Sequence, residues 1–119
     1  MYSEHVQRNY ANLWPRVISA RFGNSEHLEA VLALFASYDG PEPDRVKLGI
    51  LKAADCDIQK IHKYFGMAKS DWRDLLCEAE YPRSARRFGL KERSPEKYQR
   101  LLAKEQEEYE SWLQRVLAT

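Results

Sequence analysis

Residues 57–81, DIQKIHKYFGMAKSDWRDLLCEAEY, decide the fold. Their apolar members Ile58, Ile61, Phe65, Ala68, Trp72, Leu75 and Ala79 follow one another at steps of three and four. Side chains so spaced share one face of an α-helix. That stripe has to be buried against other helices. Gly66 lies off the stripe, and Ser70 and Asp71 are good caps, so two helices meeting near residues 67–70 are an alternative. The unbroken register favours one long helix, or two nearly collinear ones, ending at Tyr81 before Pro82.

Upstream, Asp44 is the expected cap of a helix carrying Val46, Leu48, Ile50, Leu51 and Ala54. Asp55-Cys56-Asp57 then makes a tight connection in which Asp55 or Asp57 caps the next helix. Residues 39–43, DGPEP, stop an earlier helix that starts at Asn24 or Ser25 and carries Leu28, Val31, Leu32, Phe35 and Tyr38 on one face. A first helix is expected from Tyr2 to about Leu13, with Val6, Tyr10 and Leu13 aligned, because Pro15 disfavours helix at Trp14. Whether residues 16–22 resume a helix stays open.

Downstream, residues 82–94 show no sustained period. Ser94-Pro95 reads as a cap followed by a first-turn proline. The helix it opens runs to about Leu117 with Tyr98, Leu101, Leu102, Tyr109, Trp112, Leu113, Val116 and Leu117 on its apolar side, interrupted by Glu105. No segment alternates with period two for long. The expectation is one all-α domain over residues 1–119, a small bundle of about five helices around one long central helix.

At 119 residues with 44% hydrophobic content, the chain can bury a core without staples. Seven Tyr, four Phe and three Trp argue against disorder. A net charge of +1 excludes a strong global field toward polyanions. Two cysteines, Cys56 and Cys77, do not make a disulfide framework, and the N-terminal sequence lacks the apolar run of a signal peptide. The longest apolar run, about residues 30–36, is far short of the roughly 20 residues of a membrane span. The expectation is therefore a cytoplasmic protein without membrane contact.

Chemistry-bearing motifs are scarce. His5, His27 and His62 are scattered, and no ligand spacing for a structural metal exists, so no metal or cofactor is expected. Cys56 sits at a probable helix start, yet Asp55 and Asp57 oppose a thiolate there. Asp71, Asp74 and Glu78 span an arc of about 60° on one helix and form a candidate carboxylate cluster for a cation or a partner's arginine. The competing account is helix-start stabilisation by Asp71 and Asp74, with nearby arginines neutralising the rest. No catalytic constellation emerges, and no enzyme is expected.

Residues 81–100 hold seven basic residues against two acidic ones, an excess of five that leaves the rest of the chain at −4. Arg83, Arg86, Arg87, Lys91 and Arg93 are candidate contacts for an anion or nucleic acid, with Phe88 and Tyr98 able to stack on bases. The competing account has this segment neutralising Glu105, Glu107, Glu108 and Glu110, or the acids of the 57–81 helix.

Residues 70–82, SDWRDLLCEAEYP, resemble the pattern D-[YW]-R-D-[VL]-L-x-x-A-E-Y-P of a family of small bacterial proteins without an assigned activity. In that family the pattern follows a short helix and a turn like Ala53-Ala54-Asp55-Cys56-Asp57. The resemblance covers about Asp44 to Pro82 and implies a bacterial, cytosolic, helical domain. It transfers no catalytic residue.

Three functional expectations follow in order. The first is a non-catalytic module acting through a protein partner or self-association, supported by amphipathic helices and abundant Tyr, Trp and Arg. The second is an accessory protein binding nucleic acid through residues 83–100. The third is a small-molecule site built from Asp71, Asp74, Glu78 and Arg73.

Overall fold

The computed structural model describes residues 8–118, and the first-helix expectation for residues 2–7, like His5, lies outside them. Within the described residues the chain is all-helical: α1 (Tyr10–Phe22), α2 (Leu28–Ala36), α3 (Pro43–Ala54), α4 (Ile58–Ser70), α5 (Trp72–Glu80), α6 (Pro82–Ala85), α7 (Leu90–Arg93) and α8 (Pro95–Leu117).

The expected long central helix is two helices. Asp71 takes an extended conformation (φ −156°, ψ 95°), its N–H closing α4 on the Met67 carbonyl at 2.8 Å. Its Oδ1 accepts the Arg73 and Asp74 N–H groups at 3.1 and 3.3 Å, opening α5. An aspartate that captures backbone donors with its side chain competes with helix propagation. The apolar register survives the break: Ile61, Phe65, Ala68, Leu75 and Ala79 are all buried.

The centre of the bundle is α3. Arg45, Val46, Leu48, Gly49, Ile50, Leu51 and Ala54 are buried around its circumference, the signature of a helix enclosed on most sides. It packs on α1, α4 and α5. Its start also differs from expectation: Glu42, at φ 49°, occupies the cap position and Pro43 the first helical position, while the Asp44 carboxylate accepts the Trp14 indole N–H at 2.8 Å. Asp55 and Cys56 end the helix in left-handed backbone (φ 48° and 59°), with Cys56 N–H returning to the Leu51 carbonyl. Asp57 then caps α4 by accepting from Gln59 and Lys60 N–H.

Residues 16–22 are helical, and α1 runs through Pro15 instead of stopping before it. A proline there deprives the Ala11 carbonyl of its partner. Trp14 is nevertheless held from two sides, by Asp44 and by the Phe35 ring at 5.8 Å between centroids. Val17, Ile18 and Phe22 bury the remainder. Tertiary contacts outweigh the local disfavour.

The longest helix is α8, whose 23 residues span about 34 Å. It lies along α1, α5, α6 and α7. Trp112 donates its indole N–H to Asp55 at 2.9 Å, fixing α8 to the end of α3.

Candidate functional site

Glu105, the residue that interrupts the apolar side of α8, is only 2% exposed. Its carboxylate accepts the Arg83 N–H at 2.9 Å, and the Ser84 N–H and hydroxyl at 3.0 and 2.5 Å. It thus caps α6 from another helix. Arg83 adds a side-chain pair with Glu105 at 3.4 Å and another with Glu108 at 2.7 Å. Arg86 reaches back to Glu78 of α5 at 2.6 Å. Two of the five candidate cations are therefore paired to acids of the same chain.

The other three are exposed, Arg87 on the turn between α6 and α7 and Lys91 and Arg93 on α7 itself. Gly89 holds the left-handed backbone (φ 78°) that lets the chain reverse there. Arg93 Nη1 donates to the Phe88 carbonyl at 3.3 Å, and Lys91 Nζ lies 5.9 Å from the Tyr98 ring centre. At their middle stands Phe88, 87% exposed. Next to it opens a slot of about 320 Å³ between α4, α5 and α6, floored by Met67, Cys77, Pro82 and Ala85. Asp74, Glu78 and Arg86 edge it. Burial raises the Cys77 thiol pKa, as expected for a sulfur on an apolar floor.

The three candidate carboxylates, Asp71 at the start of α5 and Asp74 and Glu78 on it, have separate roles. Asp71 caps the helix, Glu78 pairs with Arg86, and Asp74 is exposed at the slot's edge. Among the described residues no three His, Cys, Asp or Glu come together to hold a metal ion. Arg73 lies with its guanidinium carbon 5.1 Å from the Trp72 ring centre.

A second polar cluster lies deep in the fold. Arg45 (4% exposed) and Glu80 (6%) form a two-pronged pair at 2.7 and 2.6 Å that joins α3 to α5. Glu42 lies 3.7 Å from the same guanidinium. Arg8 stacks over the Tyr109 ring at 4.2 Å and pairs with Glu110 at 3.1 Å. Burial, reinforced by Glu80, holds the Tyr109 hydroxyl pKa well above its ordinary value. In sequence Glu80 lies off the apolar stripe of residues 57–81. The sequence carries no sign that Arg45 is its partner, because a buried arginine looks no different in sequence from a surface one. The exposure of Phe88 is implied by the stacking alternative alone, since an isolated phenylalanine otherwise carries the expectation of burial.

Wider hollows line α8. One of about 680 Å³ faces α1, and one of about 520 Å³ lies beside Lys52, Asp55 and Arg115. Both carry charges of both signs and no convergent chemistry. No helix among the described residues is long and apolar enough to cross a membrane. No protein-family model, curated protein or solved structure matches this chain. The class defined by fold and surface is a small all-α bundle with an exposed aromatic in a cationic turn.

Proposed function

We propose that the chain is a non-catalytic helical module that works by docking on protein through the α6–α7 turn, with Phe88 as the anchor and Arg87, Lys91 and Arg93 as its rim. The carrying observation is the exposure of Phe88 in a chain that buries its other three phenylalanines. Burying such a ring is worth roughly 1.5–3 kcal/mol, and aromatic anchors ringed by arginine are the residue types that dominate protein interfaces. A bacterial and cytoplasmic setting, as the resemblance of residues 70–82 implies, belongs to the same proposal.

The test uses a photo-crosslinking phenylalanine analogue at position 88 in the living host. Defined protein adducts are expected, competed by excess wild-type chain and not by Phe88→Ala. Phe88→Ala itself should melt within about 2 °C of wild type, because the ring buries little. Adducts to nucleic acid alone, or none, would overturn the proposal.

The runner-up is nucleic-acid binding through residues 83–100, favoured by the same three exposed cations beside an aromatic ring. It is weakened by the pairing of Arg83 and Arg86 with Glu105, Glu108 and Glu78. Anisotropy of labelled DNA and RNA at about 50 and 200 mM salt decides it, because phosphate contacts weaken steeply with salt.

A further inference from the structure

Phe88 and the slot beside it occupy one face, and neither satisfies the other. The ring lines the mouth of the slot and remains 87% exposed instead of filling it. A cavity of about 150 Å³ lined by apolar side chains is enough to hold a benzene ring. The slot, at about 320 Å³, therefore has room for a phenyl group entering from outside. Met67, Cys77, Pro82 and Ala85 give its lining an apolar part that matches one, beside the charged Asp74, Glu78 and Arg86.

A protrusion and a matching recess side by side on one face satisfy the condition for an isologous contact. A two-fold axis passing between them carries each protrusion into the other copy's recess. The charges around the two features complement each other in the same sense. Arg87 directly precedes Phe88 on the protruding turn, whereas Asp74 edges the recess beside the mutually paired Glu78 and Arg86. Asp74 and Arg87 form no ion pair with any described residue, in contrast to Glu78 and Arg86, which are paired with each other.

From this, and resting on the docking role of the α6–α7 turn, we infer that the partner seated on this face is a second copy of the chain. Each Phe88 enters the slot over Met67 and Cys77 of the other copy, and two Arg87–Asp74 pairs flank the exchange.

Sedimentation equilibrium over about 1–300 µM is the experiment. Wild type should move from 14.0 kDa toward twice that mass as concentration rises. Phe88→Ala should stay monomeric throughout. Arg87→Asp should weaken association about tenfold, the range of a close cross-interface charge pair. Asp74→Arg should do the same. The double variant R87D/D74R should recover most of the loss, which neither general misfolding nor loss of solubility would produce. A wild-type chain that is monomeric at about 300 µM overturns self-docking. So does a dimer indifferent to Phe88→Ala, or a charge reversal without rescue. Any of these three results leaves the wider docking role standing if position 88 still crosslinks other proteins in cells, and removes both if it does not.

Discussion

Cys56 follows Asp55 at the end of α3, in left-handed backbone, and is 8% exposed. Desolvation pushes its thiol pKa up from 9.0 to about 11, and the nearby Asp55 adds to the effect against an opposing pull from Arg21. A thiol so raised is protonated at neutral pH, which removes the nucleophile that its place at a helix start suggested. The shift has a consequence for stability. Below about pH 9 the thiol keeps its proton in both the folded and unfolded chain, and its contribution is constant. Between about pH 9 and 11 the unfolded chain loses the proton while the folded one keeps it, so stability falls by about 2 kcal/mol. Burial also raises Tyr10, Tyr38 and Tyr109, which adds to the alkaline loss, whereas Lys52, lowered by burial, opposes it. Cys56→Ser isolates the thiol, since serine does not titrate there. Urea unfolding at pH 8 and pH 10.5 should show a smaller alkaline loss in the variant, and equal losses in both proteins would mean that the thiol is not desolvated.

At the scale of elements, Asp71 serves two helices at once, closing α4 with its N–H and opening α5 with its carboxylate. Asp71→Ala removes the accepting oxygen while leaving the backbone bond, and should cost about 1 kcal/mol. Amide exchange at Arg73 and Asp74 should accelerate while the amides of α3 keep their protection. Uniform acceleration throughout would show instead that the junction supports the whole core. The burial of this region was legible in sequence because it depends only on periodicity, and the stripe from Ile58 to Ala79 carries through the junction. The break was not, because the same periodicity runs across it, and only the conformation of one aspartate separates one helix from two. The continuation of α1 past Pro15 was illegible for the opposite reason. The local rule was read correctly, but contacts from Trp14 to Asp44 and Phe35, across 30 and 21 positions of sequence, override it. The candidate site divides the same way. The excess of basic residues was visible in composition, and so was the alternative that it neutralises acids of α8 or of residues 57–81, which Arg83 and Arg86 do; which arginine meets which acid requires knowing which helices meet.

Over the whole molecule, α3 provides the common surface. It contacts α1, α4 and α5, while α8 closes over α1, α5, α6 and α7 and is fixed to the end of α3 through Trp112 and Asp55. The buried Arg45–Glu80 pair adds a polar tie between α3 and α5 whose halves are costly to separate, since either one left alone is an uncompensated buried charge. Each tryptophan reports on a different helix, Trp14 on α1, Trp72 on α5 and Trp112 on α8, and two of them donate to an aspartate at one end of α3 or the other. With every helix leaning on α3 or on a neighbour that does, removing one exposes the core beneath the rest. The expectation is a single cooperative transition, with a urea slope of about 1–2 kcal/mol per molar for a chain of this size. The sharpest check keeps Trp112 as the only fluorophore of its kind, in a Trp14→Phe, Trp72→Phe background, and compares its fluorescence with far-ultraviolet circular dichroism through the same titration. Coincident midpoints mean that α8 and the α3-centred helices form one folding unit. A fluorescence midpoint well below the dichroism one would mean that α8 leaves first, taking Glu105 from the start of α6 and loosening the turn that presents Phe88.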